Sequence, residues 1–290
     1  MKGSRARAGL RAAAVAAAVA AVAAGCSGGS GAAPGATPTA PVPAPTGTVA
    51  ETIALVADVM DKADTAGTVR IEGTVSSGTT GTMTLTGQEQ YSPSLEMTMS
   101  MQAQGQTMSE VLIGTTFYMD YPALSAEMGG KPWGKIDLSK ADGALGSLSA
   151  LANTARTYNP TTQLQALIAT GSVANFGPET VDGQQATHYQ GKLYVSQLLG
   201  QAYGLTAAQT QQLRSTMQAT GVTYELVDLW VGSNQLPVEV KYVAKSTAGQ
   251  VSTDMHLSDW GKPVEIGAPP ATQVFDMTGP LASAAASAKG

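Results

Sequence analysis

The sequence predicts an α+β domain built on one large antiparallel sheet, curled, with helices on its concave side and a space between the two. Three observations predict it. Segments with strict apolar/polar alternation cluster at both ends of the folded part, the signature of strands with one buried and one wet face. Segments of helical period lie between those clusters. Short turn signals join neighbouring strands, so pairing is antiparallel. About ten strands in one sheet would curl strongly.

Met1–Arg11 is basic, Ala12–Ala24 is an unbroken run of Ala and Val, and Gly25-Cys26 follows. A charged start, a short apolar run and small residues at its end make a secretory signal. The apolar run is shorter than the roughly 20 residues a bilayer-spanning helix needs. Ser27–Thr48 has five prolines among Gly, Ala, Thr and Ser and no charge. It reads as a flexible to semi-extended tether with a root-mean-square reach of roughly 25 Å.

Thr48-Val-Ala-Glu51 is a capping box, and Ile53, Val56, Met60 and Ala63 follow at helical spacing. With Gly67 as stop, this predicts an amphipathic helix over Val49–Ala66. Thr68–Ser76 alternates, with Val69, Ile71 and Val75 inward. Thr82–Tyr91, Leu95–Gln104 and Thr107–Tyr121 continue as a meander, with Gly114 dividing the last stretch or marking a bulge. Their inward face carries Met83, Leu85, Leu95, Met97, Met99, Met101, Phe117, Met119 and Tyr121. Methionine is unbranched and polarizable and repacks around irregular partners. This face can therefore be ordinary core or the lining of a soft cavity.

A short strand is predicted at Trp133–Leu138. Ser139-Lys-Ala-Asp142 caps a helix carrying Leu145, Leu148 and Leu151, and Asn159-Pro160 starts another with Leu164, Leu167 and Ile168 on one side. Both are weakly polar all round, which suggests shielding on more than one side. Val173–Thr180 and Gln184–Tyr194 form a hairpin around Asp182-Gly183. Thr206-Ala-Ala-Gln209 caps a further helix. Val222–Val231, Leu236–Lys245 and Val251–Trp260 are the closing strands.

The 290 residues carry a net charge of −5. The first 25 residues hold four basic groups and no acids, so from Cys26 onward 12 basic groups face 21 acidic ones, a balance of −9. Such a chain, with no basic cluster, is a poor partner for nucleic acid. One cysteine excludes an internal disulfide and a thiolate cluster, and two histidines exclude a multi-histidine metal centre. His188 and His256 fall on the wet phase of their strands, and the carboxylates read as scattered over outward positions. No nucleophile elbow or phosphate loop is present. No cofactor and no catalytic set are expected.

Ala23-Ala24-Gly25-Cys26 resembles a bacterial lipobox, with Ala23 where Leu is usual. The Cys26 anchor, the Pro/Ala/Thr tether, the opening helix and the early meander together resemble the actinobacterial LppX/LprG family of lipoproteins. Val181-Asp-Gly-Gln-Gln-Ala-Thr-His-Tyr189 is similar to that family's central hairpin, and Leu236-Pro-Val-Glu-Val240 to its penultimate strand. The resemblance implies a LolA-like half-barrel wrapped around helices, enclosing an apolar pocket for acylated lipids or lipoglycans, without metal or catalysis. It implies lipid attachment at Cys26, where diacylglycerol plus an N-acyl chain would anchor the chain stably. It also implies an outer-face, extracytoplasmic location and an envelope transporter as partner.

With that pocket in view, alternation and helix faces nominate its lining: Met83, Leu85, Met97, Met99, Met101, Phe117, Met119, Leu148, Leu151, Leu164 and Leu167. The expected layout is a signal peptide over 1–25, lipidated Cys and tether over 26–48, a lipid-binding domain over 49–276 and a flexible tail over 277–290. Lipid transfer in the cell envelope is the expected function. A non-enzymatic sensor or interaction lipoprotein is the alternative, and an extracytoplasmic hydrolase a third reading that lacks a buried polar cluster.

Overall fold

The computed structural model describes residues 45–46, 48–78, 81–122, 125–126, 128–140, 173–194, 211, 221–247 and 249–280. The signal segment, Cys26, most of the tether, the helices expected from Ser139, Asn159 and Thr206, and the tail 281–290 lie outside them. So do Leu148, Leu151, Leu164 and Leu167.

The opening helix, α1, runs Val49–Ala66. The Glu51 backbone N–H donates to Thr48 Oγ1 at 3.3 Å, and the Thr48 N–H donates to Glu51 Oε2 at 2.9 Å. Gly67 ends the helix at φ 76°, a left-handed cap that glycine adopts without steric cost. Val56, Val59, Met60 and Ala63 are buried, one stripe at i, i+3, i+4, i+7. Ile53 is only half-buried. Its neighbour Thr52 is buried instead, its hydroxyl donating to Thr48 O at 3.1 Å.

Twelve strands follow: β1 Thr68–Ser77, β2 Gly81–Gln90, β3 Glu96–Ala103, β4 Gln106–Ile113, β5 Thr116–Asp120, β6 Trp133–Asp137, β7 Val173–Val181, β8 Gln184–Tyr194, β9 Tyr224–Gly232, β10 Pro237–Ser246, β11 Gly249–Ser258 and β12 Val274–Asp276. They form one sheet in the order β12-β6-β5-β4-β3-β2-β1-β11-β10-β9-β8-β7. Two meanders are thus joined through β1 and β11. The sheet is open, with β12 and β7 at its edges. Gly114, at φ 59°, is the turn that divides β4 from β5.

One part of the predicted sheet is corrected. β12 pairs with β6 in parallel, so the sheet is mixed at that edge. A three-residue strand is too short for a period to show, and its direction follows from where the chain returns after β11. Met277 and Thr278 still pack beyond it, the Asp137 N–H donating to Thr278 Oγ1 at 3.0 Å.

The core lies on one face. It joins Val56, Val59 and Met60 of α1 to Val69, Ile71, Leu85, Met97, Leu112, Phe117 and Ile136 of one meander. From the other come Tyr189, Leu193, Val227, Leu229, Val240, Tyr242 and Leu257. α1 spans this face from β7 to β1. Its 18 residues make about 27 Å of helix, against roughly 24 Å for the five strand spacings between β1 and β7. At the β7 end, the Thr46 N–H donates to Asn175 O at 2.6 Å. A bulge between Asn175 and Gly177 interrupts β7, where the Gly177 N–H donates to Asn175 Oδ1 at 2.8 Å.

Glycines set local spacing on the inner face. A Cβ on Gly73 would stand 2.3 Å from Asp254 O, so β1 and β11 approach as only glycine allows. A Cβ on Gly87 would meet Thr98 O at 2.7 Å and Met99 Sδ at 2.9 Å, and one on Gly134 would meet Met277 Sδ at 2.4 Å and Met128 Sδ at 2.8 Å. The thioethers fill what these glycines leave open.

Candidate ligand-binding face

Cross-strand register arranges the inner face in rows. One row reads Leu257, Ile71, Gly87, Met99, Glu110, Met119, Gly134. The next reads Val69, Glu89, Met97, Leu112, Phe117, Ile136. Leu85, Met101 and Met108 align in a third. Of the nominated residues, Leu85, Met97, Met101, Phe117 and Met119 are buried, and Met83 and Met99 are half-buried against them. The structure therefore brings these seven together on one wall. Met108 and Met255 extend it.

The rows also contain residues that the sequence reading missed. Glu89 and Glu110 point inward and are buried, at 4% and 8% exposure. Glu225, half-buried, shares its strand phase with the buried Val227 and Leu229. This overturns the expectation of outward carboxylates. The signal was in the period: positions 83, 85, 87 and 89 share one parity, as do 108, 110 and 112. Charge alone had assigned these residues outward.

Burial raises the carboxyl of Glu89 to about 7, against a smaller lowering influence from Tyr91. Its Oε2 has no hydrogen-bond partner, and neither has the buried Tyr91 hydroxyl. Tyr91 lies close enough to Glu89 for mutual electrostatic influence but is not aligned as a hydrogen bond. Burial likewise raises Glu110, where the Tyr121 hydroxyl donates to Oε1. Burial raises Glu225 as well. The wall is thus apolar and soft, with carboxyl groups set into it whose charged form is disfavoured.

The outer face carries a second polar constellation. His188 stacks on Trp230 at 4.5 Å between ring centroids. Its Nδ1 lies 3.0 Å from Glu179 Oε1 and its Nε2 2.8 Å from Asp228 Oδ1. Trp230 Nε1 donates to Glu179 Oε2 at 2.7 Å, and Gln190 Nε2 to Asp228 Oδ1 at 2.7 Å. Burial opposes charge on His188, but the Asp228 hydrogen bond and the two carboxylates outweigh it and raise its pKa.

On the neighbouring strands β10 and β11, Glu239, Asp254 and His256 offer ligand atoms within 4.8 Å of one another. Lys241 Nζ stands 2.6 Å from Asp254 Oδ2 and supplies the countercharge itself. His256 Nδ1 is 2.8 Å from Asp182 Oδ2, without hydrogen-bond alignment. Both histidines therefore sit outside the apolar interior, as their strand phase predicted, but in ionic networks rather than alone.

Among the described residues, a depression of about 320 Å³ lies at the β3–β4 turn, lined by Thr84, Gln102, Gln104, Gln106 and Thr107. It is polar, and its Thr84, Gln102 and Thr107 pair in one exposed row, opposite in phase to the methionine wall. The helices expected to close the cavity lie outside the described residues.

Fold and wall together define a class: an open α+β sheet with one continuous apolar face. No family model matches the chain. It is 29% identical over 244 residues to an uncharacterized 31.2 kDa protein in the rplA–rplJ intergenic region of Streptomyces griseus, covering 78% of this chain and 79% of that one. It is 26% identical over 247 residues to a Streptomyces coelicolor protein carrying a lipoprotein name, covering 78% and 77%. Similar solved structures include lipoprotein LppX of Mycobacterium tuberculosis (12% identity, TM-score 0.48, 75% of this chain and 99% of that one). They also include LprF of Mycobacterium bovis (15%, 0.46, 78% and 99%).

Proposed function

We propose that this chain is an extracytoplasmic lipoprotein, held at the outer face of the bacterial cell membrane through an acylated Cys26. In this reading it binds an acylated lipid or lipoglycan against the inner face of its sheet, for transfer within the cell envelope. The observation that carries the reading is the methionine-lined wall, on which Met97, Met99, Met101, Met108 and Met119 lie in adjoining rows. Unbranched thioethers conform to acyl chains of different shape at low cost in strain. The lipoprotein name of the Streptomyces coelicolor relative supports the anchored location. Leu148, Leu151, Leu164 and Leu167 would complete the cavity from the helical side, and an envelope transporter would receive the cargo. The function is carriage, with no catalytic step and no cofactor.

Native mass spectrometry of the full chain, gently purified from an actinobacterial host, tests the binding. The expected result is an acylated ligand that leaves on collisional activation. A chain recovered free of ligand under those conditions overturns the reading. Met99→Asp is expected to abolish lipid uptake or unfold the domain, and Cys26→Ser to release the chain from the membrane fraction.

The outer-face network favours a second reading. Thr, Gln and Ser dominate the outward positions in sequence, yet the fold gathers Glu179, His188, Asp228, Glu239, Lys241, Asp254 and His256 there. A sensor that recognises a protein partner would use such a surface. Crosslinking on intact cells separates the two readings, because a sensor gives one stoichiometric partner lost on Glu239→Lys.

A further inference from the structure

Glu89 has a carboxyl oxygen that no group in the described structure satisfies. It is 4% exposed, sits on the inner face between Val69 and Met97, and its Oε2 has no hydrogen-bond partner. The nearby Tyr91 hydroxyl is also buried and lacks a partner at hydrogen-bond geometry, although it lies close enough to Glu89 to influence its carboxyl. A buried polar atom left unsatisfied loses its hydration without replacement and destabilises the fold. Apolar residues at 89 would avoid that cost, as they do at Leu85, Met83 and Met101 on the same wall.

Glu110 repeats the arrangement two strands away, again a carboxyl beside a tyrosine hydroxyl on the inner face. The separation is about 10 Å across the strands and about 7 Å along them. No lysine or arginine approaches either carboxyl among the described ion pairs. Both groups are acceptors without countercharge in an apolar surround.

We propose that Glu89, with Tyr91 beside it, is a polar subsite within the lipid-binding wall that takes a hydrogen-bond donor of the ligand, a hydroxyl or an ammonium. Glu110 is its weaker second. This rests on the proposed lipid-binding reading and narrows it. The ligand's buried portion carries donors on long apolar chains, and a phosphate or carboxylate terminus is rejected there. The rejection follows from charge, because two anions in an apolar site repel and neither is solvated. A hydroxyl supplies the missing donor to Oε2. An ammonium supplies it together with a countercharge, which makes the stronger bond.

The test is displacement of the neutral dye Nile red from the full chain carrying Cys26→Ser, so that no acyl anchor is added. The competitors are dodecylamine, dodecanol, dodecanoate and dodecyl phosphate at pH 8. Dodecylamine and dodecanol are expected to displace the dye at about tenfold lower concentration than the two anions. Glu89→Gln keeps an acceptor but removes the charge, so it should cost dodecylamine about tenfold and dodecanol less than twofold. Equal displacement by all four chains overturns the subsite and leaves lipid binding standing. A preference unchanged in Glu89→Gln assigns it elsewhere and also overturns the subsite. Failure of the dye and every chain to bind overturns the lipid-binding reading itself. The wild-type ranking carries the test even where a variant fails to fold.

Discussion

Tyr121 donates its hydroxyl hydrogen to Glu110 Oε1 inside the apolar face of the sheet, from the end of β5 to the middle of β4. Both side chains are buried. The bond satisfies one oxygen of a carboxyl that would otherwise stand in hydrocarbon. Tyr121→Phe is therefore expected to lower stability by about 1–3 kcal/mol, the cost of leaving a buried acceptor unmet. Tyr121→Phe combined with Glu110→Met should recover most of that loss, since removing both partners leaves nothing unsatisfied. Urea unfolding of the four proteins measures the coupling. Additive effects would mean that the pair contributes nothing.

Glu89 links stability to pH. Its folded carboxyl is raised from 4.5 to about 7 by burial, so the folded state holds a proton that the unfolded chain releases. Stability is fullest below the unfolded value. It falls as pH rises from about 4.5 to about 7 and is flat above, a loss on the order of 3 kcal/mol. Unfolding midpoints at pH 5 and pH 8 check this. Glu89→Gln should remove most of the difference, and an unchanged difference would assign it to other groups.

His188 contributes in the same direction by a different route. Burial opposes its charge, but Asp228 and Glu179 prevail, and its pKa is raised in the folded protein. Its stabilisation is complete below the unfolded value near 6.5 and is lost as pH rises through the folded one. Asp228→Asn should return the imidazole toward its ordinary range, read by NMR titration of the ring. Glu89→Gln should leave that titration unmoved, which separates the two effects.

Two inner-face glycines should respond differently to one methyl group. At Gly73 the obstacle is backbone, Asp254 O at 2.3 Å, and Gly73→Ala must push β1 away from β11. A loss of about 2–4 kcal/mol or failure to fold is expected. At Gly134 the obstacles are the thioethers of Met277 and Met128, which can rotate aside. Gly134→Ala should cost about 1 kcal/mol. Thermal unfolding of both variants gives the comparison, and equal costs would contradict it.

Period and capping made most of the scaffold legible. Thr48, Glu51 and Gly67 marked both ends of α1, and alternation placed Met83 through Met119 on one face. The parallel pairing of β12 was not legible, because three residues carry no period. The buried acids Glu89 and Glu110 are legible in strand phase, but their charge points the opposite way, since an ionised carboxylate is costly to bury. The gathering of His188 with Glu179 and Asp228 could not be read along the chain, since residues 9 and 40 positions apart meet only through register. The same holds for Lys241 with Asp254. Charge balance and motifs spoke only of residue types, whereas these networks are properties of cross-strand geometry.

Among the described residues, β7 leaves one side of the sheet without a strand partner, yet it is a poor template for another chain. Pro178 has no N–H to offer, the bulge at Asn175 and Gly177 breaks the ladder, and Thr46 occupies Asn175 O. Copies meeting edge to edge would therefore resist zipping together through β7. An open sheet, which a closed barrel would make safe by geometry, is here guarded at its β7 edge by local irregularity.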